Sequence, residues 1–182
     1  MNDKTLLTQV EEFARTNCEL AEGPGLWTHT KLVRQFALEL ARIEGADSQV
    51  LEIAALLHDI GKRKGQENHS VWSYELSKVF LESVDLPQAT KERILECVLK
   101  HSSRFSSEDN SIEVKVIQSA DVLGTLCDEP WQEHYRKTMP KEAILQLFTR
   151  AMTKINLESA RRLAEPQIAK LKALLLSGKE QH

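Results

Sequence analysis

Four side chains stand out by type and position: His29, the adjacent pair His58 and Asp59, and Asp121. His29 shares the helical stripe of Leu32, Val33, Phe36 and Leu40, and Asp121 follows Val114 and Ile117 at helical spacing and precedes Gly124. His101 follows Ile94 and Val98 in the same way. Such phases point a side chain inward, where an unpaired polar or charged group costs several kcal/mol unless something satisfies it. A divalent cation neutralises imidazoles and carboxylates that converge from separate helices on one buried point. His58 and Asp59 close the most apolar helix of the chain, in the string LEIAALLHDIGK. Neighbouring helical side chains diverge by about 100°, so both reach one ion only where the helix is ending. Gly61 is expected to let the chain turn away there, because glycine tolerates backbone angles that other residues resist.

A cation held in this way defines a chemistry. It lowers the pKa of a bound water, giving a hydroxide nucleophile at neutral pH, and its charge stabilises the negative charge developing on a phosphoryl group. Hydrolysis of a phosphate ester or anhydride follows. Lys62, Arg63 and Lys64 leave the His58–Asp59 pair directly, and Lys100 and Arg104 bracket His101. Of these, Lys62 and Arg104 are expected to clamp the substrate phosphate, and Asp59 and Lys62 to be catalytic. A donor set of imidazole and carboxylate without thiolate suits manganese, iron, cobalt, nickel or magnesium better than structural zinc. The plainer alternatives are a solvated basic loop at Lys62 to Lys64 and a helix-end cation at His101.

The order His29, then His58-Asp59 inside HDIGK, then Asp121 inside IQSADVLG resembles the HD-domain superfamily of metal-dependent phosphohydrolases. The resemblance runs from about Trp27 to Leu126. It implies a helical bundle around a buried metal, with His29, His58, Asp59 and Asp121 as its ligands. Two-metal members carry further histidines between the HD pair and the last Asp, and His69 and His101 stand where those ligands are found. If both serve, the resemblance implies that Asp59 bridges two ions with a hydroxide between them. The subgroup that cleaves cyclic dinucleotides has paired histidines where this chain has the single His101, and its Gly-Tyr-Pro element is missing here. Dinucleoside polyphosphate hydrolases are similar in length and histidine order but differ around the final Asp, and remain an alternative.

The elements that must position these residues read as helices throughout, with no strand-like alternation. Leu6, Leu7, Val10, Phe13 and Ala14 outline a first helix, and AEGPG breaks the chain before a second that ends at Gly45. Asp47 and Ser48 offer caps for a third, whose run IAALL is apolar all round and therefore central. Further helices run from about Ser70 to Ser83, Gln88 to His101 and Ile112 to Cys127, with a polar loop at SSRFSSEDNS. Residues 139–177 read as two more, with Pro166 bending the last or opening its second half. The expectation is an all-α, single-domain bundle of about eight helices over residues 1–182, with its metal-binding core at 27–126. Hydrophobic residues at 41%, against 7 Gly and 5 Pro, fit such a core.

Composition also excludes function classes. A net charge of −3 lacks the footprint of a nucleic-acid polymer binder, though a local basic pocket can still take a small phosphorylated substrate. Cys18, Cys97 and Cys127 form no CxxC pair, so they read as small buried hydrophobes in a reducing cytoplasm rather than disulfides or zinc ligands. No apolar run is long enough to span a bilayer. His134 and His182 are expected at the surface, and Trp27 and Trp72 in the core rather than stacked on a nucleobase. Two rival functions stay open: a catalytically weak domain that senses a metal and a nucleotide, and a helical module whose last two helices bind a partner.

Overall fold

The structure, a computed structural model, describes residues 3–22 and 25–177. His182 and the centre of the AEGPG break lie outside the described residues. Nine α-helices and no strands occur among those described: α1 (Asp3–Glu19), α2 (Leu26–Glu44), α3 (Ser48–Leu57), α4 (His69–Glu82), α5 (Gln88–Lys100), α6 (Ile112–Cys127), α7 (Glu129–Thr138), α8 (Lys141–Met152) and α9 (Glu158–Ser177). A short 3-10 turn at Ile60–Lys64 follows α3, and another at Ser103–Phe105 follows α5.

The centre of the bundle is α3. Its residues Val50, Leu51, Ile53, Ala54, Ala55, Leu56 and Leu57 are all buried, and it packs against α1, α2, α5 and α6. A helix apolar on every side has no solvent face, so it must be surrounded. Its start is fixed by Asp47, whose carboxylate accepts from the Gln49 and Val50 amides at 3.1 and 3.2 Å. The helix before it ends at Gly45, where φ of 68° is the left-handed conformation that glycine adopts without strain. α2 also lies along α6, another almost wholly buried helix. Thus α2, α3 and α6, which carry the four singled-out side chains, are mutual neighbours, and α4 and α5 close the fourth side.

Three features differ from the reading of the sequence. α7 was not foreseen. It is polar, contains no buried residue, and is set by its start signals, an Asp128 cap and Pro130 in the first turn, rather than by an apolar stripe. α9 continues through Pro166, which therefore does not open a separate helix. Gly61 has an ordinary backbone angle, since the positive-φ glycines among the described residues are Gly25, Gly45 and Gly65. Its reason is space: a Cβ there would collide with the His69 carbonyl oxygen and the Ser73 nitrogen. The Gly61 amide donates to Ser73 Oγ at 2.9 Å, drawing the first turn of α4 against the chain just beyond Asp59.

Gly61→Ala is therefore expected to lower stability by about 1–3 kcal/mol, the usual cost of overpacking. Thermal unfolding checks this: the midpoint should fall, and an unchanged midpoint would show that α4 does not press on Gly61.

Candidate metal centre

His58 caps the C-terminal end of α3 and Asp59 is the first residue past it. Because the helix ends there, their side chains converge, with His58 Nε2 at 3.2 Å from Asp59 Oδ2. From α2, His29 Nε2 stands 3.0 Å from Asp121 Oδ1 and 3.7 Å from Asp59 Oδ2. Asp121 Oδ1, from α6, is 3.8 Å from His58 Nε2. One ligand atom from each of His29, His58, Asp59 and Asp121 lies within 4.8 Å of all the others. α2 can come this near to α6 because Gly124 is opposite: a Cβ there would stand 2.7 Å from Val33 Cγ2 and 3.3 Å from His29 Cε1.

A second group shares Asp59. Its Oδ1 is 3.5 Å from His69 Nε2, at the first residue of α4, and 3.6 Å from His101 Nε2, just past α5. These three residues also hold their ligand atoms within 4.8 Å of one another. Asp59 thus turns one oxygen to each group.

The ring orientations show what the centre lacks. His58 Nδ1 donates to the Ala55 carbonyl at 2.7 Å, His101 Nδ1 to Val98 at 2.7 Å and His69 Nδ1 to Gln66 at 2.9 Å. A carbonyl only accepts, so each Nδ1 carries a proton, and a ring in its neutral form presents a bare lone pair at Nε2. His69 Nε2 and His101 Nε2 meet at 3.1 Å, a contact that repels unless positive charge is shared between them. His58 Nε2 and Asp59 Oδ1 are buried without any hydrogen-bond partner, which costs about 1–3 kcal/mol for each group. Imidazole nitrogens and carboxylate oxygens aimed at one volume fit a divalent cation.

Electrostatics agree. Burial acts to raise the Asp59 carboxyl, but His58 and Lys62 outweigh it and hold the group well below its ordinary range. Asp121 is held low, against burial, chiefly by its bond to His29. Both stay anionic. Burial lowers His69, with help from His101, whereas Asp59 overcomes burial and raises His101.

The family model for the HD domain matches residues 26–126, over half of the chain. The chain belongs to the HD-domain family. Solved structures of similar fold include Bacillus subtilis YpgQ, at a TM-score of 0.71 and 20% identity over 97% of this chain and 95% of that one. YpgQ has also been solved in complex with ADP, at a TM-score of 0.70 and 19% identity over 97% and 94% of the two chains. A predicted HD superfamily hydrolase from an uncultured Thermotogales bacterium aligns at 0.68 and 22% over 97% and 96%. No curated protein sequence matches the chain. Among the described residues, no helix is long and apolar enough to cross a membrane.

In this HD domain a cavity of about 650 Å³ opens over the centre. His29, Asp59, His69, His101 and Asp121 form its floor, and Lys62 stands beside them with Nζ paired to Asp59 Oδ2. The opposite wall comes from α7 and α8, through Trp131, Tyr135, Phe148 and Arg150, with Lys154 in the turn just past α8. Sequence reading missed this wall. Trp131 and Tyr135 are spaced four apart on α7, but nothing in the polar segment 129–138 marks it as facing a site.

Other expected cations lie elsewhere. Arg104 is not among the cavity-lining residues: its guanidinium donates to Asn68 Oδ1 at 3.3 Å and Ser70 Oγ at 2.7 Å, on either side of His69. Arg63 donates to Asn17 at 2.7 Å, Lys100 pairs with Glu96 at 2.8 Å, and Lys64 sits over the Trp72 ring. Trp72 is 39% exposed rather than in the core, whereas Trp27 packs against the core and His134 is exposed, as expected. Cys18 and Cys97 are buried and Cys127 is partly so.

Metal binding should stabilise the fold, by about 2.7 kcal/mol at a free concentration a hundred times Kd. Chelator-treated protein is expected to unfold at a lower temperature and to recover on addition of Mn²⁺. An identical midpoint in both states, with no metal by elemental analysis, would remove the centre.

Proposed function

We propose that the chain is a metal-dependent phosphohydrolase acting on a small phosphorylated metabolite, with a nucleotide as the best fit. The observation that carries this reading is that metal-fitting side chains and uncompensated cations share one cavity. Arg150 and Lys154 form no ion pair among the described residues, although both line the cavity. Together with Lys62 and a divalent ion they favour a multiply charged anion. Trp131 and Tyr135, with ring centroids 5.6 Å apart and planes inclined by 32°, offer an aromatic surface for a base. The ADP complex of YpgQ supports the same class of ligand.

On this reading His29, His58, Asp59 and Asp121 hold one ion, and Asp59 with His69 and His101 a second. Manganese, iron, cobalt, nickel and magnesium all suit the donors. The bound cation supplies an acidified water and positive charge against the phosphoryl oxygens. Asp59, kept anionic, orients the centre, and Lys62 Nζ is placed to hold a phosphoryl oxygen beside it. Arg150 and Lys154 take a more distal phosphate, and Trp131 and Tyr135 cover the remainder of the substrate. Arg104 serves differently from the expectation: by holding Asn68 and Ser70 it fixes the turn that presents His69. Residues 1–182 act as one domain, in which the core at 27–126 binds metal and the C-terminal helices complete the cavity.

A screen of nucleotides, dinucleoside polyphosphates and simple phosphoesters with added Mn²⁺ should show release of phosphate or nucleoside. Asp59→Ala should abolish both turnover and metal content. Nucleotide binding without release would instead make the chain a sensor, and activity retained by Asp59→Ala would contradict the assignment. Arg150→Ala should raise KM about tenfold, equivalent to about 1.4 kcal/mol, with kcat little changed. A loss confined to kcat would move Arg150 from substrate binding to the reacting phosphoryl group.

A further inference from the structure

Asp128, between α6 and α7, is fully buried, and neither its type nor its spacing marked it in the sequence. One carboxylate oxygen has an ordinary role, since Oδ1 accepts the Trp131 amide at 3.2 Å and caps α7. The other, Oδ2, is buried without a hydrogen-bond partner. It lies 3.8 Å from His29 Nδ1, on the opposite side of the ring from the metal centre. Burial raises this carboxyl, with the Trp131 amide, His29 and Lys62 opposing the shift.

The arrangement answers a question that the other histidines pose. His58, His69 and His101 sit at helix ends, where a carbonyl three residues back is free to receive Nδ1–H. His29 lies inside α2, where carbonyls of the preceding turn accept helical bonds instead. It needs another acceptor if its Nε2 is to face Asp59 and Asp121 as a bare lone pair. Asp128 Oδ2 faces that side of the ring, 3.8 Å from His29 Nδ1 and itself without a partner. Histidine ligands that donate their second N–H to a carboxylate are held in one tautomer and made more basic.

We propose that Asp128 is a positioning residue: it orients His29 and fixes its tautomer for a divalent cation, while capping the helix that brings Trp131 and Tyr135 to the cavity. The inference rests on the metal-centre reading above. One carboxylate then ties the grip on the ion to the placement of the aromatic wall.

Asp128→Asn and Asp128→Ser separate the two roles, because Asn and Ser both cap helices but neither offers His29 an anionic acceptor. Titration of the metal-depleted full chain with Mn²⁺ should show both variants binding about 10–100-fold more weakly than wild type. Their helix content and metal-free unfolding midpoint should equal or exceed those of wild type, since a buried orphan charge has been removed. Wild-type affinity in both variants overturns the role of Asp128 alone. So does weaker binding accompanied by a lower metal-free midpoint, because that marks a purely structural role. A wild-type chain that binds no Mn²⁺ overturns the metal centre, and this inference with it.

Discussion

Lone pairs from several imidazoles and the charge of two carboxylates meet at the foot of one cavity, and the rest of the bundle is organised around that conflict. His58, Asp59 and His101 are each no more than 2% exposed, and protein donors leave His58 Nε2 and Asp59 Oδ1 unsatisfied. Such a cluster is tolerable only if a cation gathers it or if the scaffold is firm enough to hold it open. The scaffold is firm. α3 is buried on every side, and the helices touching it, α2, α5 and α6, bring His29, His101 and Asp121 to the same cluster.

The two ends of the chain divide the work. α2 to α6, the part that the HD family pattern covers, carry the candidate metal-binding side chains, and α1 packs beside them. α7 to α9 lean on α6 and on one another, and α7 and α8 build the far wall of the cavity. The core side is rich in metal donors, and the wall brings aromatic faces and uncompensated positive charge. Asp128 stands at the junction, with one oxygen facing His29 at 3.8 Å and the other capping a cavity helix. Gly61 and Gly124 serve the same end by leaving room, one for the start of α4 and the other for His29.

Much of this was legible in the sequence, and the reason is periodicity. α2, α3 and α6 carry long apolar phases, so the inward direction of His29, His58 and Asp121 could be read directly from their neighbours. Gly45 and Asp47 marked the boundary between α2 and α3 by local rules that need no tertiary information. What stayed hidden depends on contacts between distant segments. α7 has no apolar stripe, so neither the helix nor its cavity face could be inferred. Arg104, Arg63 and Lys64 have long side chains whose partners are settled by the folded surroundings, and each found a polar or aromatic neighbour away from the cavity. Gly61 was noticed for the wrong property, its backbone freedom, when its lack of a side chain is what the packing uses.

The position of a bound ion is the most direct test of the metal centre. Crystals grown with Mn²⁺ and measured at wavelengths on either side of the manganese absorption edge would locate it by anomalous scattering. The expected result is a peak bounded by His29 Nε2, His58 Nε2, Asp59 and Asp121, at about 2.0–2.4 Å from each ligand atom. A fully occupied manganese peak elsewhere, with these four side chains bonded only to one another, would contradict it.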